Sequence, residues 1–246
     1  MSKGSSIKLS VIIPAYNEEL RLPQTLKRSI EYLESQPYGS EIIVVNDGSS
    51  DGTERVVREY CGNGIPLRLL RHPDGANHGK GASVRRGMLE ACGEYRLFMD
   101  ADNSTTLDHV DRFWPAFESG YDVAIGSRAL KNSVIKVRQT RIKEIAGRIG
   151  NRIIQRLAVP GILDTQAGFK MLTAEKADII FPRLTIERWG YDIEMLAIAR
   201  FHNCRICEIP ITWFNSDGSK VSMGSYLQVL SEVVKIRRNV RAGRYR

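Results

Sequence analysis

A mostly parallel α/β sheet flanked by helices is the fold class that this sequence predicts, from three observations. Short apolar runs rich in β-branched residues alternate with segments of helical spacing, the runs end in polar loops, and the order β-α-β-α repeats through the first half of the 246 residues. Leu9-Ser10-Val11-Ile12-Ile13-Pro14 is the first strand, closed by a proline. From about Leu20 to Glu34, Leu22, Leu26, Ile30 and Leu33 recur at helical spacing. Glu41 to Val45 is a second buried strand, followed by the polar loop Asn46 to Gly52 and a helix from Thr53 to Tyr60. Leu67 to Leu70 makes a third strand, Gly79 to Ala91 a helix, and Tyr95 to Met99 a fourth strand that stops at Asp100. Asp122 to Ile125 is a further strand. In such a sheet the ligand crevice lies at the loops that follow the strand C-termini.

Beyond Ile125 the character changes. Arg128 to Leu157 carries nine Lys/Arg and one acid, Glu144, with Val134, Ile142, Ile145, Ile149 and Ile153 near helical spacing. That pattern predicts a basic amphipathic helix. The tail repeats it: Ser225 to Val240 is helix-like, and Lys235, Arg237, Arg238, Arg241, Arg244 and Arg246 follow without a compensating acid.

An apolar content of 42% in a chain of this length is enough for a buried core. Lys+Arg 36 against Asp+Glu 28 gives a net charge of +8, which suits a polyanionic partner such as nucleic acid, nucleotide phosphates or an anionic membrane. Cys61, Cys92, Cys204 and Cys207 show no zinc spacing and read as free thiols of a reducing cytoplasm. Met1 to Ser6 is polar and leads straight into a strand, so no signal peptide is expected, and no apolar run approaches the ~18 residues of a membrane span. Aromatic residues do not interleave with the basic ones as in a nucleic-acid-binding surface, so no nucleic acid is expected as partner.

Asp100-Ala101-Asp102 directly after an apolar strand is the strongest local signal. Two carboxylates at i and i+2 can approach one divalent cation and bridge it to a diphosphate. Alone, the pattern is more often a solvated turn. Its context is Pro14-Ala15-Tyr16-Asn17-Glu18 after the first strand and Asn46-Asp47-Gly48-Ser49-Ser50-Asp51-Gly52 after the second. Each of those has a plain account as a helix cap or a turn, but three polar loops at successive strand ends form one crevice.

Over Leu9 to about Val221 the chain resembles the family 2 glycosyltransferases of GT-A (Rossmann-like) fold. The motifs that carry the resemblance are residues 11–18, 45–53, Gly79-Lys80-Gly81-Ala82 and Met99-Asp100-Ala101-Asp102. The resemblance implies that Pro14, Tyr16, Glu18 and Asp47 hold the nucleoside, Lys80 the nucleotide or its phosphates, and Asp100 and Asp102 the sugar and a Mg²⁺ or Mn²⁺. Gly126-Ser127-Arg128, residues 164–170, residues 187–194 and Trp213 through Lys220 look like the dolichyl-phosphate hexosyltransferase branch, most of all its β-glucosyl members. Mannosyl members typically follow Asp-X-Asp with Leu-Gln, whereas Asn103-Ser104 stands here, which favours UDP-glucose over GDP-mannose. The N-terminal membrane helix common in eukaryotic glucosyl members is missing, which leaves anchoring to the basic segments and hints at a bacterial or archaeal source.

The division expected within one continuous domain is a nucleotide-sugar-binding half at 1–125, an acceptor-binding half at 126–224 and a basic helix and tail at 225–246. A polyprenyl phosphate is already an anionic nucleophile, so its attack on the anomeric carbon needs charge management more than a strong base, and direct displacement inverts the anomeric centre. Arg128, Ser219 and Lys220 are the candidates for the acceptor phosphate. Asp164, Asp192 and Glu194 either orient substrate, act as an auxiliary base, or form structural salt bridges with Arg188 or Lys170, and Arg188 is a further candidate for orienting substrate. Trp189 and Trp213 either stack on sugar or pack in the core. A family 2 enzyme with a soluble sugar acceptor is the rival reading, and the expected location is the cytoplasmic face of a membrane, held peripherally.

Overall fold

The computed structural model describes residues 6–62, 64–136, 150–214 and 223–246. The first half alternates as expected: β1 (Ile7–Ala15), α1 (Leu22–Glu34), β2 (Gly39–Asn46), α2 (Thr53–Tyr60), β3 (Leu67–Arg71), α3 (Lys80–Glu90) and β4 (Tyr95–Met99). A 3-10 turn at Leu107–Arg112 and the short α4 (Trp114–Glu118) lead to β5 (Val123–Ser127) and β6 (Val134–Ile135). Helical residues 150–157, α5, precede β7 (Phe169–Thr173), α6 (Ala174–Ile180), α7 (Tyr191–Phe201), β8 (Ile206–Pro210), β9 (Thr212–Trp213) and α8 (Met223–Arg241).

Seven strands form one sheet in the order β3-β2-β1-β4-β7-β5-β8. All neighbours are parallel except β7, which runs antiparallel to both β4 and β5. The sheet is thus continuous across residue 125, with β7 and β8 contributed by the second half. The period-2 alternation of the strands divides the core in two. Val11, Ile13, Ile42, Val44, Leu97 and Met99 face α1 and α2, whereas Ile12, Ile43, Val45 and Phe98 face α3 and α7. Helix α1 presents Leu22, Leu26, Ile30 and Leu33 to that first layer, the same residues whose spacing predicts it.

The basic helix expected over Arg128 to Leu157 is corrected in part. Val134 and Ile135 form the short strand β6, paired in parallel with Thr212 and Trp213 of β9. Two β-branched residues suit that extended pairing, and the place of Val134 in a helical stripe is coincidental. Helix is present at 150–157, where Ile154 is buried and Ile153 is partly exposed. Ile142, Ile145 and Ile149 lie outside the described residues.

Helix α8 docks through Val233 and Ile236 onto the layer that contains α7. Past its end the chain turns back and buries Tyr245. The Tyr245 hydroxyl donates to the Glu194 carboxylate at 2.7 Å, which also accepts from Thr185 N at 2.8 Å and Ile186 N at 2.7 Å. His202 of the α7 C-cap meets the Tyr245 carbonyl at 2.7 Å. From the middle of α8, Glu232 accepts from Gly190 N at 2.8 Å, just before α7 begins. The C-terminal helix is therefore fastened to both ends of α7. Tyr245→Phe removes the donor to Glu194 and is expected to lower stability by about 1–2 kcal/mol. Thermal unfolding followed by circular dichroism checks this, as a fall in Tm of roughly 2–8 °C.

Candidate active site

The loops after β1 and β2 are stitched together before any ligand is considered. Asn17 N donates to Ser49 Oγ at 2.9 Å, Glu18 N to Thr53 Oγ1 at 2.7 Å and Glu19 N to Asp51 Oδ2 at 3.1 Å. In return Ser50 N donates to Asn17 Oδ1 at 2.8 Å and Gly52 N to Glu19 Oε2 at 2.7 Å. Asn17 adopts φ +51, a left-handed conformation that asparagine tolerates better than most residues. Pro14 is buried in β1 beside Val45, and Tyr16 just after it is 40% exposed. Glu18 is gripped by Arg21 through two contacts of 2.7 Å.

Asp47 is held by the loop that leads into α3. Its buried carboxylate accepts from Asn77 Nδ2 at 2.9 Å, His78 N at 2.8 Å and Gly79 N at 2.9 Å, with His72 Nε2 at 3.3 Å. Both oxygens thus accept from the 77–79 loop. Asp47 thereby ties the β3–α3 loop to the end of β2 and fixes the start of α3. Gly79 sits at φ +99, and a Cβ on it would lie 2.8 Å from the Glu187 carbonyl, so the Gly79-Lys80-Gly81 turn packs directly on the segment before α7.

From that turn Lys80 reaches Asp100 and forms an ion pair. Burial works to lower the Lys80 pKa, and the carboxylates of Asp100, Asp192 and Asp102 more than offset it, so the ammonium is held above its ordinary value. Asp100 N donates to the Gly168 carbonyl at 3.1 Å, and a Cβ at Gly168 would overlap the Asp100 carboxylate. Asp102 is half-buried, with Oδ1 accepting from Ser104 N at 3.0 Å. Thr25 of α1 donates to the Ala101 carbonyl at 2.7 Å and Phe214 N to the Ser104 carbonyl at 2.8 Å. The loop after β4 is thus held from both sides.

The residues assigned to the acceptor half gather at the same edge. Arg128, at the end of β5, makes a two-pronged pair with Asp164, Nε to Oδ2 at 2.8 Å and Nη2 to Oδ1 at 2.9 Å, and its backbone N donates to Oδ2 at 2.8 Å. Burial acts to raise the Asp164 pKa, but Arg128 outweighs it and keeps the carboxyl below its usual range. The guanidinium also lies over Trp213, 5.4 Å from the ring centroid. Lys170, fully buried, donates to Asp192 at 2.5 Å and to the Ala167 carbonyl at 2.6 Å. Asp164 and Asp192 are therefore both ion-paired, Asp192 with Lys170, one of the expected partners, and Asp164 with Arg128. Arg188 is exposed, its Cγ against Gly79. Ser219 and Lys220 lie outside the described residues.

No three His, Cys, Asp or Glu side chains among the described residues gather into a metal cage. Asp100 and Asp102 offer carboxylate oxygens on one loop, without thiolate or imidazole. That donor set fits a hard cation such as Mg²⁺ or Mn²⁺, which takes one or two protein carboxylates and completes its shell from a diphosphate and water. The surroundings are otherwise strongly charged, with Lys80 and Arg128 partly exposed and the Lys170–Asp192 pair buried beneath them.

Comparison with known proteins decides what this crevice belongs to. Residues 10–180 match the family described as Glycosyl transferase family 2. The chain belongs to that family. The enzyme is a glycosyltransferase. It is 37% identical over 245 residues to a dolichyl-phosphate β-glucosyltransferase of Dictyostelium discoideum, covering 94% of this chain and 74% of that one. To the human dolichyl-phosphate β-glucosyltransferase it is 34% identical over 254 residues, covering 97% and 78%. To that of Saccharomyces cerevisiae it is 34% identical over 260 residues, covering 98% and 77%. Among solved structures, glucosyl-3-phosphoglycerate synthase of Mycobacterium tuberculosis with Mn²⁺, UDP-glucose and phosphoglyceric acid superposes with a TM-score of 0.69 at 18% identity, over 96% of this chain and 80% of that one. The likeness establishes the GT-A fold.

Sequence reading missed Gly168 as a contact of Asp100, and Asn77 and His72 as partners of Asp47. Gly168 stands inside a motif that was visible, but its role depends on the packing of β7 against β4. Gly168→Ala is expected to displace the Asp100 carboxylate and reduce kcat/KM for sugar transfer roughly 10²-fold, a cost typical of a 1 Å misplacement. Steady-state kinetics on the folded variant checks it.

Proposed function

We propose that the enzyme transfers glucose from UDP-glucose to the phosphate of a dolichol-type polyprenyl phosphate, with inversion at the anomeric carbon. The observation that carries this reading is the near full-length likeness to enzymes of that name, in a chain whose Asp100, Asp102 and Lys80 meet at the sheet's C-terminal edge. Asp102 and Asp100 hold the divalent cation. When bound, that cation neutralises charge on the departing diphosphate as a Lewis acid. Lys80 stands at the start of α3, ion-paired to Asp100, and releases to a phosphate oxygen when the donor arrives. Tyr16, exposed at the mouth of the crevice, and Pro14 border the nucleoside. Asp47 supports this subsite through the 77–79 loop.

On the acceptor side, Asp164 aims Arg128 by taking Nε and Nη2 and not Nη1, which suits a guanidinium presented to a phosphate. The lipid phosphate is anionic at neutral pH and attacks without a strong general base. In keeping with that, Asp192 is spent on Lys170 and Asp164 on Arg128.

No helix among the described residues is long and apolar enough to cross a membrane. Lys235, Arg238, Arg241, Arg244 and Arg246 are exposed at the end of α8 and after it, and each basic residue near an anionic surface contributes about 1 kcal/mol to binding. This supports peripheral attachment to a cytoplasmic membrane face.

Purified enzyme, dolichyl phosphate and radiolabelled UDP-glucose or GDP-mannose test the proposal. Label is expected in the organic phase from UDP-glucose, lost with EDTA and restored by Mg²⁺ or Mn²⁺. Label only from GDP-mannose, or label that stays water-soluble, contradicts it.

A further inference from the structure

Lys170 breaks the pattern of its strand. It lies on β7, the antiparallel strand between β4 and β5, in register with Phe98 on one side and Ile125 on the other, and it is fully buried. Leu172, two residues on and on the same face, joins Phe98, Ile125 and the apolar residues of α7 in the core. A hydrophobic residue at position 170 would suit that face. A buried ion pair is weak evidence of a stabilising role, since well-packed apolar replacements of both partners are often neutral or better. Burial alone pushes the Lys170 pKa down and that of Asp192 up, so the pair is held in an environment that disfavours both charges.

What the pair touches gives it a different task. The Lys170 ammonium donates to Asp192 at 2.5 Å and to the Ala167 carbonyl at 2.6 Å, and lies 5.4 Å from the centroid of the Phe98 ring. The next residue after Ala167 is Gly168, whose carbonyl accepts from Asp100 N at 3.1 Å and whose Cα faces the Asp100 carboxylate without room for a Cβ. Asp192 lies in the first turn of α7, just past Gly190, which Glu232 holds from α8. One unbroken set of contacts therefore runs from α7 through Asp192, Lys170 and the 167–168 peptide to Asp100.

We propose that Lys170 and Asp192 are positioning residues, which set the place of the Asp100 carboxylate through the Ala167–Gly168 peptide and so govern the turnover step rather than stability. The inference rests on the reading of Asp100 and Asp102 as the donor-side carboxylates. Neither Lys170 nor Asp192 touches substrate in this account, and neither exchanges a proton with it.

The test is the double variant Lys170→Met/Asp192→Val, which refills the core with apolar side chains and leaves no unpaired charge. It is expected to fold with a Tm close to that of the parent and to lose at least tenfold in kcat for lipid glucosylation, with the KM for the lipid acceptor changed less than threefold. A kcat within twofold of the parent at unchanged Tm overturns the proposal, because it shows the pair to be structural only. Should the double variant fail to fold, Asp192→Ala, which removes the acceptor of Lys170, decides the matter below its own unfolding temperature. There, retention of kcat overturns the proposal, and loss of kcat with an unchanged acceptor KM supports it. Asp102→Ala, assayed in parallel, separates the two levels. If that variant still transfers glucose, the reading of the site itself is wrong; if it is inactive while the double variant is not, only the positioning role falls.

Discussion

Because β7 runs against both of its neighbours in the middle of an otherwise parallel sheet, the residues that lead into it emerge at the same edge as the loops that follow β1, β2, β4 and β5. A parallel strand there would have brought its leading residues to the opposite edge. The reversal lets one short stretch serve two sides of the crevice. Asp164 holds Arg128 at the end of β5, Gly168 bears on Asp100 at the end of β4, and Lys170 reaches back to the Ala167 carbonyl and across to Asp192 on α7. Asp100 and Arg128 are fixed relative to each other through the seven residues 164–170.

The electrostatics follow from that crowding. Charges this close to the interior are tolerated only as pairs with hydrogen bonds to match, and each cation here has a carboxylate opposite it: Lys80 with Asp100, Arg128 with Asp164, Lys170 with Asp192. The pairs differ in depth. Lys170 is fully buried, whereas Lys80 and Arg128 keep about a quarter to a third of their side chains exposed, at 26% and 31%. Only the shallower two can exchange a protein carboxylate for a phosphate oxygen. The deep one has no such option, which suits it to holding geometry rather than ligand.

Much of this was legible in the sequence, and what was not has physical reasons. The strands β1, β2 and β4 are continuous apolar runs because both of their faces are covered by helices, and Asp100 and Asp102 stand out because they end such a run. Strand β7 was not recognised as a strand, since Lys170 interrupts its apolar character at the centre. Strand β8 was missed for a similar reason: Glu208 sits in its middle, spent on the backbone N–H groups of Leu163 and Asp164 at 2.7 and 3.0 Å. The helix expected from Arg128 took in Val134, since a two-residue strand leaves no periodicity. The bonds of Asp47 to the loop 30 residues further along the chain are a pairing that no local pattern encodes. Likewise the 36-residue separation of Arg128 and Asp164 hides their ion pair.

The central claim is that Asp102 and its neighbour Asp100 hold the cation that carries the donor's diphosphate, and calorimetric titration of UDP-glucose with and without Mn²⁺ tests it most directly. The account predicts that Mn²⁺ tightens binding to the parent enzyme at least tenfold and gives Asp102→Ala no comparable gain. Equal affinity with and without the cation in the parent, or an undiminished gain in Asp102→Ala, would contradict it.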